Sequence, residues 1–235
     1  MPSEPIGILI PAFGAARTIE AIVKGALAHG HDLLVVDDGS LDGSGEAAAA
    51  AGARVIRHGT NRGKGAALAT GFASHLARGA AAVITLDADG QHDPGEIPRF
   101  VDRFRQDRPD LIIGARLEAF AVMSGGRRFG NRFSTAAVRF FRGPRLPDTQ
   151  CGFRLYSRAF LEKTRFRRRR YDAEIELLMR AASGGHRVAS LPIRTPSPDG
   201  RETSHYRPWL DTYKMCWAVV HYSLVESRSR RRARP

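Results

Sequence analysis

Short apolar segments alternate with helix-like segments through the first half of the chain, and this alternation limits the folds that the chain can adopt. The apolar segments are IGILI (6–10), DLLVVDDGS (32–40), ARVIRH (53–58), AAVITLD (81–87) and DLIIGAR (110–116). The segments between them carry apolar residues at helical spacing, as Ile19, Ile22, Val23 and Leu27 do. Buried strands that alternate with helices predict an α/β fold with a mostly parallel sheet covered on both faces.

Carboxylates stand where two of these strands end. Asp37 and Asp38 close the second strand, and Asp87 and Asp89 follow the fourth. The carboxyl ends of parallel strands meet at one edge, where open α/β sheets bind ligands. Like charges so close together repel each other unless a cation lies between them. The pattern therefore indicates either a solvated acidic turn or a site for Mg²⁺ or Mn²⁺, which prefer oxygen ligands.

Two nearby features are weaker signals. The sequence NRGKG (61–65) enters a helix, and glycines at a helix start let backbone N–H groups approach an anion, although a plain turn explains them equally well. The chain has neither a P-loop nor a GxGxxG motif after its first strand, which argues against a nicotinamide dinucleotide enzyme. His92 is a further candidate ligand, but a histidine in a loop is more often solvated.

The composition is strongly basic, with a formal net charge of +13, 33 arginines and 4 lysines. Arginines cluster at 127–142, 165–170 and 228–235, which favours polyanions such as nucleic acid, anionic lipid headgroups or phosphorylated substrates, unless it reflects only a compositional bias of the genome. Two cysteines imply no disulfide framework. No secretory signal is visible, and no apolar run approaches the length of a membrane-spanning helix.

Seven motifs occur in an order that carries a family resemblance: IPAF, VVDDGSLDGS, NRGKGAAL, LDADGQHDP, GAR, DTQCGFRLYSR and YDAEIELLMRA. Over roughly residues 5 to 215 the chain resembles a family 2 glycosyltransferase of the GT-A fold, of the dolichyl- and polyprenyl-phosphate sugar transferase type. The resemblance implies a Rossmann-like, mostly parallel sheet and an inverting sugar transfer. It also implies a UDP- or GDP-sugar donor, a Mg²⁺ or Mn²⁺ cofactor, and a polyprenyl-phosphate or other lipid acceptor.

On the donor side the resemblance implies that Asp87, Asp89 and Gln91 form the metal and diphosphate site. The residues expected to bind the nucleotide-sugar are Pro11, Phe13, Asp38, Lys64, Asp87 and Gln91, together with Ser204, His205 and Arg207 from a segment expected to be mobile. Gly14 and Ala15 stand where the family usually carries asparagine and glutamate, which leaves the base preference open.

On the acceptor side Arg116, Arg128 and Arg132 are the candidates for the acceptor phosphate. The last two lie in a segment (127–142) with the pattern of a basic amphipathic helix, which fits a membrane surface or the side of a core. The candidate catalytic residues are Asp89, Asp148, Asp172 and Glu174. A phosphate acceptor is already anionic and needs no general base, whereas a hydroxyl acceptor needs one. Carboxylates early in a helix are also favoured for purely structural reasons.

We expect one glycosyltransferase domain over residues 1–225, with a nucleotide-sugar half (1–116), a less regular acceptor half (117–225) and a disordered basic tail (226–235). The expected location is the cytoplasmic face of the membrane, against an anionic surface. Alternatives are a glycosyltransferase with a non-phosphate acceptor, a nucleotidyltransferase, a nucleic-acid-binding protein and a non-catalytic scaffold. Nucleic acid is not an expected partner, because the acidic strand ends would repel its phosphates.

Overall fold

The computed structural model describes residues 4–117, 135–136, 139, 146–164 and 172–194. Within these ranges the strands are β1 (Ile6–Ala12), β2 (Asp32–Asp37), β3 (Arg54–Arg57), β4 (Ala82–Thr85), β5 (Leu111–Ala115), β6 (Arg154–Ser157) and β7 (Val188–Pro192). The helices are α1 (Ile19–Leu27), α2 (Ser44–Ala50), α3 (Lys64–Ala77), α4 (Ile97–Asp107), α5 (Arg158–Lys163) and α6 (Asp172–Ser183). A short 3-10 helix, Pro94–Glu96, precedes α4.

The strands form one sheet in the order β3-β2-β1-β4-β6-β5-β7. Strand β1 pairs in parallel with both β2 and β4, β2 with β3, and β5 with β7. Strand β6 is antiparallel to both of its neighbours, β4 and β5. The predicted α/β fold with a mostly parallel sheet is confirmed. The sequence pattern predicts neither β6 nor β7.

Helix α4 illustrates how the sequence places helices on the sheet. Its buried side chains are Ile97, Phe100, Val101 and Phe104, a spacing of three and four residues that lines one face of the helix. Phe100 stacks on Phe153, just before β6, with ring centroids 4.4 Å apart. Each such side chain contributes about 1.5–3 kcal/mol by leaving water, so the apolar face holds α4 against the sheet.

Strand direction decides what meets at each edge of the sheet. Because β1, β2, β4 and β5 run the same way, their carboxyl ends share one edge. The antiparallel β6 brings its first residue, Arg154, to that same edge, opposite Thr85 and Ile113. The Thr85 hydroxyl donates a hydrogen bond of 2.9 Å to the Gly152 carbonyl oxygen and so fixes the chain that enters β6.

Several sequence predictions lie outside the described residues: most of the amphipathic segment 127–142, the polar segment 197–208, the helical pattern at 210–224 and the basic tail 226–235. Within the part of the chain that is described, no helix combines the length and the apolar character that crossing a membrane requires.

Candidate active site at the carboxyl edge of the sheet

The loop after β1 is held by side chains from the loop after β2 and from the first residue of α2. The backbone N–H of Gly14 donates to Ser40 Oγ at 3.1 Å, and that of Ala15 donates to Ser44 Oγ at 2.8 Å. These bonds fix the main chain where Gly14 and Ala15 supply no polar side chain. Phe13 remains 53% exposed beside this loop, whereas Pro11 is buried in β1. An exposed aromatic ring on a fixed loop offers a stacking surface for a flat ligand.

Asp38, predicted to contact the nucleoside, is buried and organises the chain that enters α3. Its carboxylate accepts hydrogen bonds from the backbone N–H groups of Arg62 (3.0 Å) and Gly63 (2.6 Å). It also contacts His58 Nδ1 at 2.7 Å. Gly63 has φ +93°, a conformation that favours glycine, and Lys64 begins the helix directly after it. The NRGKG segment is therefore fixed by Asp38 so that Lys64 faces the sheet edge.

Lys64 lies between two carboxylates from distant parts of the chain. Its Nζ is 2.5 Å from Asp87 Oδ1 and 2.9 Å from Glu174 Oε2, and its side chain is only 13% exposed. The other oxygen of Glu174, Oε1, is buried, has no hydrogen-bond partner among the described residues and is 4.0 Å from Arg154 Nε. Asp87, just after β4, thus forms an ordered ion pair with Lys64. This contact disfavours the interpretation of the acidic residues as a solvated turn.

The pKa values of Asp87 and Asp89 are shifted in opposite directions. Burial disfavours the charged form of Asp87, but the Lys64 ammonium outweighs that effect and the pKa of Asp87 falls to about 2. Burial and the neighbouring Asp87 carboxylate raise the pKa of Asp89 to about 6. Asp89 Oδ1 accepts the backbone N–H of Gln91 at 3.0 Å, which shapes the turn after β4.

The chemistry of this pair fits a divalent cation. Carboxylate oxygens are the ligands that Mg²⁺ and Mn²⁺ prefer, and a second positive charge would relieve the repulsion that raises the pKa of Asp89. In the described ranges, no group of three or more His, Cys, Asp or Glu side chains is arranged to hold a metal ion. Two carboxylates fit a cation that completes its shell with substrate phosphates and water, as Mg²⁺ commonly does.

On the other side of the edge, Arg116 pairs with Asp148. Arg116 Nε donates to Asp148 Oδ2 at 2.7 Å, and an Nη donates to Oδ1 at 3.3 Å. Asp148 is fully buried and also accepts the backbone N–H of Gln150 at 2.9 Å. Burial would lower the pKa of Arg116, but Asp148 outweighs that effect and raises it, so the guanidinium stays charged. The pair fixes the orientation of a cation at the end of β5.

His92 is buried, so the solvated interpretation of this histidine is wrong. Its Nδ1 accepts the backbone N–H of Asp87 at 3.2 Å, and its Nε2 is 3.6 Å from Cys151 Sγ. Burial lowers the pKa of His92 to about 4, so the ring is neutral at neutral pH. Burial likewise raises the pKa of the Cys151 thiol to about 12, as expected for a small buried residue and not a nucleophile. His92 thus acts on the site by fixing the main chain at Asp87.

Arg154 organises the same edge but is not among the sequence-predicted site residues. It is only 1% exposed and donates to three carbonyl oxygens, those of Cys151 (2.7 Å), Glu174 (2.8 Å) and Thr149 (2.9 Å). It therefore ties the chain before β6 to the first turn of α6. The signal was present in the sequence, since an arginine at the start of an otherwise apolar strand needs a buried partner.

The structure brings most of the predicted donor-side residues to this edge, together with Arg116, Asp148 and Glu174. Asp172 begins α6, and its side chain is outside the described part. Five predicted site residues are also outside the described residues, namely Arg128, Arg132, Ser204, His205 and Arg207. The ligand roles assigned to all of these residues remain predictions.

Comparison with known proteins places this geometry in a family. The chain is 33% identical over 207 residues to the polyprenol monophosphomannose synthase of Mycolicibacterium smegmatis, covering 82% of this chain and 77% of the relative. It is 26% identical over 218 residues to a UDP-N-acetylglucosamine–dolichyl-phosphate N-acetylglucosaminyltransferase of Methanococcus voltae, covering 83% and 87%.

Among solved structures, the glucosyl-3-phosphoglycerate synthase of Mycobacterium tuberculosis in complex with Mn²⁺, uridine diphosphate and phosphoglyceric acid superposes with a TM-score of 0.72 at 22% identity. The match covers 94% of this chain and 78% of that chain, and it shows a common fold. The model of the family described as glycosyl transferase family 2 matches residues 7–165, which is more than half of the chain. The chain therefore belongs to glycosyltransferase family 2.

Proposed function

We propose that this glycosyltransferase moves a sugar, with inversion, from a UDP- or GDP-sugar to polyprenyl phosphate at the cytoplasmic surface of the membrane. The observation that carries the proposal is the meeting of Asp87, Asp89, Lys64 and Arg116 at one sheet edge in a family 2 chain. Two relatives named for polyprenol or dolichyl phosphate match more than four fifths of the chain, which supports the acceptor class.

On the donor side, Asp87 and Asp89 would hold Mg²⁺ or Mn²⁺, with Gln91 beside them. The cation would neutralise charge that develops on the leaving nucleoside diphosphate. Phe13 offers its exposed ring to the nucleobase. Gly14 and Ala15 lack the amide and carboxylate side chains that the family usually carries after this aromatic residue. Their backbone N–H groups bond to Ser40 and Ser44 instead, which fixes the main chain next to Phe13.

On the acceptor side, Arg116 would bind the acceptor phosphate, with Asp148 fixing the plane of its guanidinium. A phosphate monoester carries about −1.5 to −2 charges at neutral pH, so its oxygen attacks without a general base. Asp148 and Glu174 are each held by a cationic side chain, which favours a positioning role for both. Arg128, Arg132 and the arginine clusters supply further positive charge to an anionic acceptor and leaflet.

The test is a screen for nucleotide release and sugar transfer. The purified protein is incubated with a panel of UDP- and GDP-sugars, Mn²⁺ or Mg²⁺, and polyprenyl phosphate in detergent. Asp89→Ala removes a proposed metal ligand, and Asp102→Ala is its matched control, because Asp102 is exposed on α4. We expect metal-dependent, lipid-stimulated release of UDP or GDP in the wild type and in Asp102→Ala but not in Asp89→Ala.

Other outcomes separate the parts of the proposal. Release stimulated by a glycan or lipid hydroxyl but not by polyprenyl phosphate would keep the transferase and replace the acceptor. Release without added metal, unchanged in Asp89→Ala, would contradict the metal site. Sedimentation with vesicles of anionic and of neutral lipid checks the membrane surface, and binding that requires the anionic lipid is the expected result. Failure to bind or release any nucleotide would overturn the proposal.

A further inference from the structure

The position of Lys64 raises a question that the proposed function leaves open. Its ammonium contacts the Asp87 oxygen Oδ1 at 2.5 Å, and Asp87 is one of the two carboxylates that fit a divalent cation. A metal ion and an ammonium group at one carboxylate oxygen are both positively charged, so they repel each other and each weakens the binding of the other. A cation that binds Asp87 through this oxygen therefore competes with Lys64.

We propose that Lys64 holds the place of the metal at Asp87 and thereby makes metal binding depend on the nucleotide. This inference rests on the proposed function. The position of Lys64 beside Asp87 is fixed by the surrounding structure. The backbone N–H of Gly63 donates to Asp38 and holds the start of α3, and the Lys64 side chain is only 13% exposed. Its second anchor, Glu174 Oε2 at 2.9 Å, keeps the ammonium at the site when Asp87 is taken by a metal.

The number of ligands leads to the same conclusion. In the described residues, no set of three or more acidic, histidine or cysteine side chains is grouped to hold a metal. Among the described residues, Asp87 and Asp89 are the carboxylates proposed to bind the metal in competition with Lys64, and two carboxylates give a divalent cation only a small part of its shell. A nucleoside diphosphate would add phosphate oxygens for the metal and an anion for the displaced ammonium. Lys64 is thus a positioning residue that suppresses metal binding until the donor arrives.

The experiment measures binding of Mn²⁺ without turnover. Free Mn²⁺ is followed by electron paramagnetic resonance during titration of the full chain, with and without saturating UDP, which is replaced by GDP throughout if the release screen identifies a GDP-sugar as the donor. The variants are Lys64→Met, Lys64→Gln as a second neutral side chain in case the first fails to fold, and Lys64→Arg, which keeps the charge. Lys24→Met is the matched control, because Lys24 lies on the exposed face of α1 and pairs with Glu20 of the same helix.

We expect the wild type to bind Mn²⁺ much more tightly with UDP than without it. Lys64→Met should bind Mn²⁺ about tenfold more tightly than the wild type without UDP, since one charge at this distance is worth a factor of that order. The increase in Mn²⁺ affinity that UDP causes should therefore be smaller in Lys64→Met than in the wild type. The Mn²⁺ affinities of Lys24→Met and Lys64→Arg should stay within about twofold of the wild-type value, because neither substitution removes a charge next to Asp87.

The contrary results are distinct. If the wild type binds Mn²⁺ with UDP but neither neutral variant tightens binding without UDP, the role of Lys64 is overturned and the metal-dependent function stands. Tightening by Lys64→Arg as large as that by Lys64→Met would also overturn it, since the charge would then be irrelevant. If no protein binds Mn²⁺ under any condition, the metal site falls and the inference with it.

Discussion

Gly152 lies so close to the Asp87 carboxylate that a residue with a side chain does not fit at position 152 unless the carboxylate moves. A Cβ at this position would be 2.2 Å from Asp87 Oδ2, well inside van der Waals contact. The chain that enters β6 therefore determines where the carboxylate points, even though the two residues are far apart in sequence.

We expect Gly152→Ala to fold but to bind UDP in the presence of Mn²⁺ about tenfold more weakly or worse, because the carboxylate must move away from its position. Gly59→Ala is the matched control, since a Cβ there meets nothing within 4 Å. Isothermal titration of both variants checks the prediction, and equal affinities would mean that the position of Asp87 does not matter.

His92 makes the stability of the protein depend on pH. Its ring faces Asp87, Lys64, Arg116 and Asp148, and burial holds its pKa at about 4, below the usual value near 6.5. The unfolded chain thus takes up a proton at a pH where the folded protein does not. The resulting stability is complete above about pH 6.5 and is lost as the pH falls towards 4.

We expect His92→Gln to flatten this dependence, because the glutamine carbonyl can still accept the Asp87 N–H but does not titrate. Between about pH 7.5 and about pH 5.5 the wild type should lose about 1 kcal/mol more unfolding free energy than the variant. Urea denaturation at the two pH values measures the difference, and parallel losses would exclude His92 as the group responsible.

At the scale of elements, the buried Arg154 joins β6, the loop before it and α6. Its guanidinium donates to three carbonyl oxygens and lies near Glu174 Oε1, which has no hydrogen-bond partner in the described part of the chain. Such an arrangement is costly to disrupt, since removing the cation takes a donor from three carbonyl oxygens and a nearby positive charge from the buried Glu174 Oε1.

We expect Arg154→Met to lower the unfolding free energy by about 3 kcal/mol, the usual cost of removing one partner from a buried charged network. Arg103→Met is the control and should change it by less than about 0.5 kcal/mol, because Arg103 forms an exposed pair with Asp107 within α4. A similar effect of the two substitutions, measured by thermal and urea unfolding, would contradict the structural role of Arg154.

The sequence predicts secondary-structure elements better than it predicts contacts between side chains that are distant in sequence, and the site shows why. Local periodicity identifies β1 to β5, and the position of Asp87 and Asp89 at a strand end predicts their edge. The contact between Lys64 and Glu174 depends on where α6 lies, which no local pattern records. Strand β3 is equally short and also begins with an arginine, yet it is predicted because it belongs to the regular alternation of strands and helices in the first half. Strand β6 is missed because it lies outside that alternation.

At the scale of the whole molecule, the sheet makes the two predicted halves depend on each other. Strand β5 belongs to the first half, yet its neighbours are β6 and β7, both from the second. Strand β4 likewise pairs on one side with β6. The fold therefore does not separate into two parts near residue 116. A division of roles between the two halves at this boundary remains a prediction.

A fragment of residues 1–117 should therefore fail to fold on its own. It would leave β5 without any sheet neighbour and one edge of β4 unpaired, with both strands fully buried in the complete sheet. We expect the fragment to lack a cooperative thermal transition and to aggregate, whereas the full chain unfolds cooperatively. Circular dichroism and size-exclusion chromatography distinguish the two, and a monomeric, cooperatively folding fragment would refute the dependence.

The return of the chain to the middle of the sheet also has a consequence for synthesis in the cell. A ribosome releases β1 to β5 well before β6, so the nascent chain carries an apolar strand edge that only a later segment can cover. During that interval the exposed edge is a template for pairing with other nascent chains. The yield of active enzyme should therefore depend on translation speed and on the supply of chaperones that bind emerging chains.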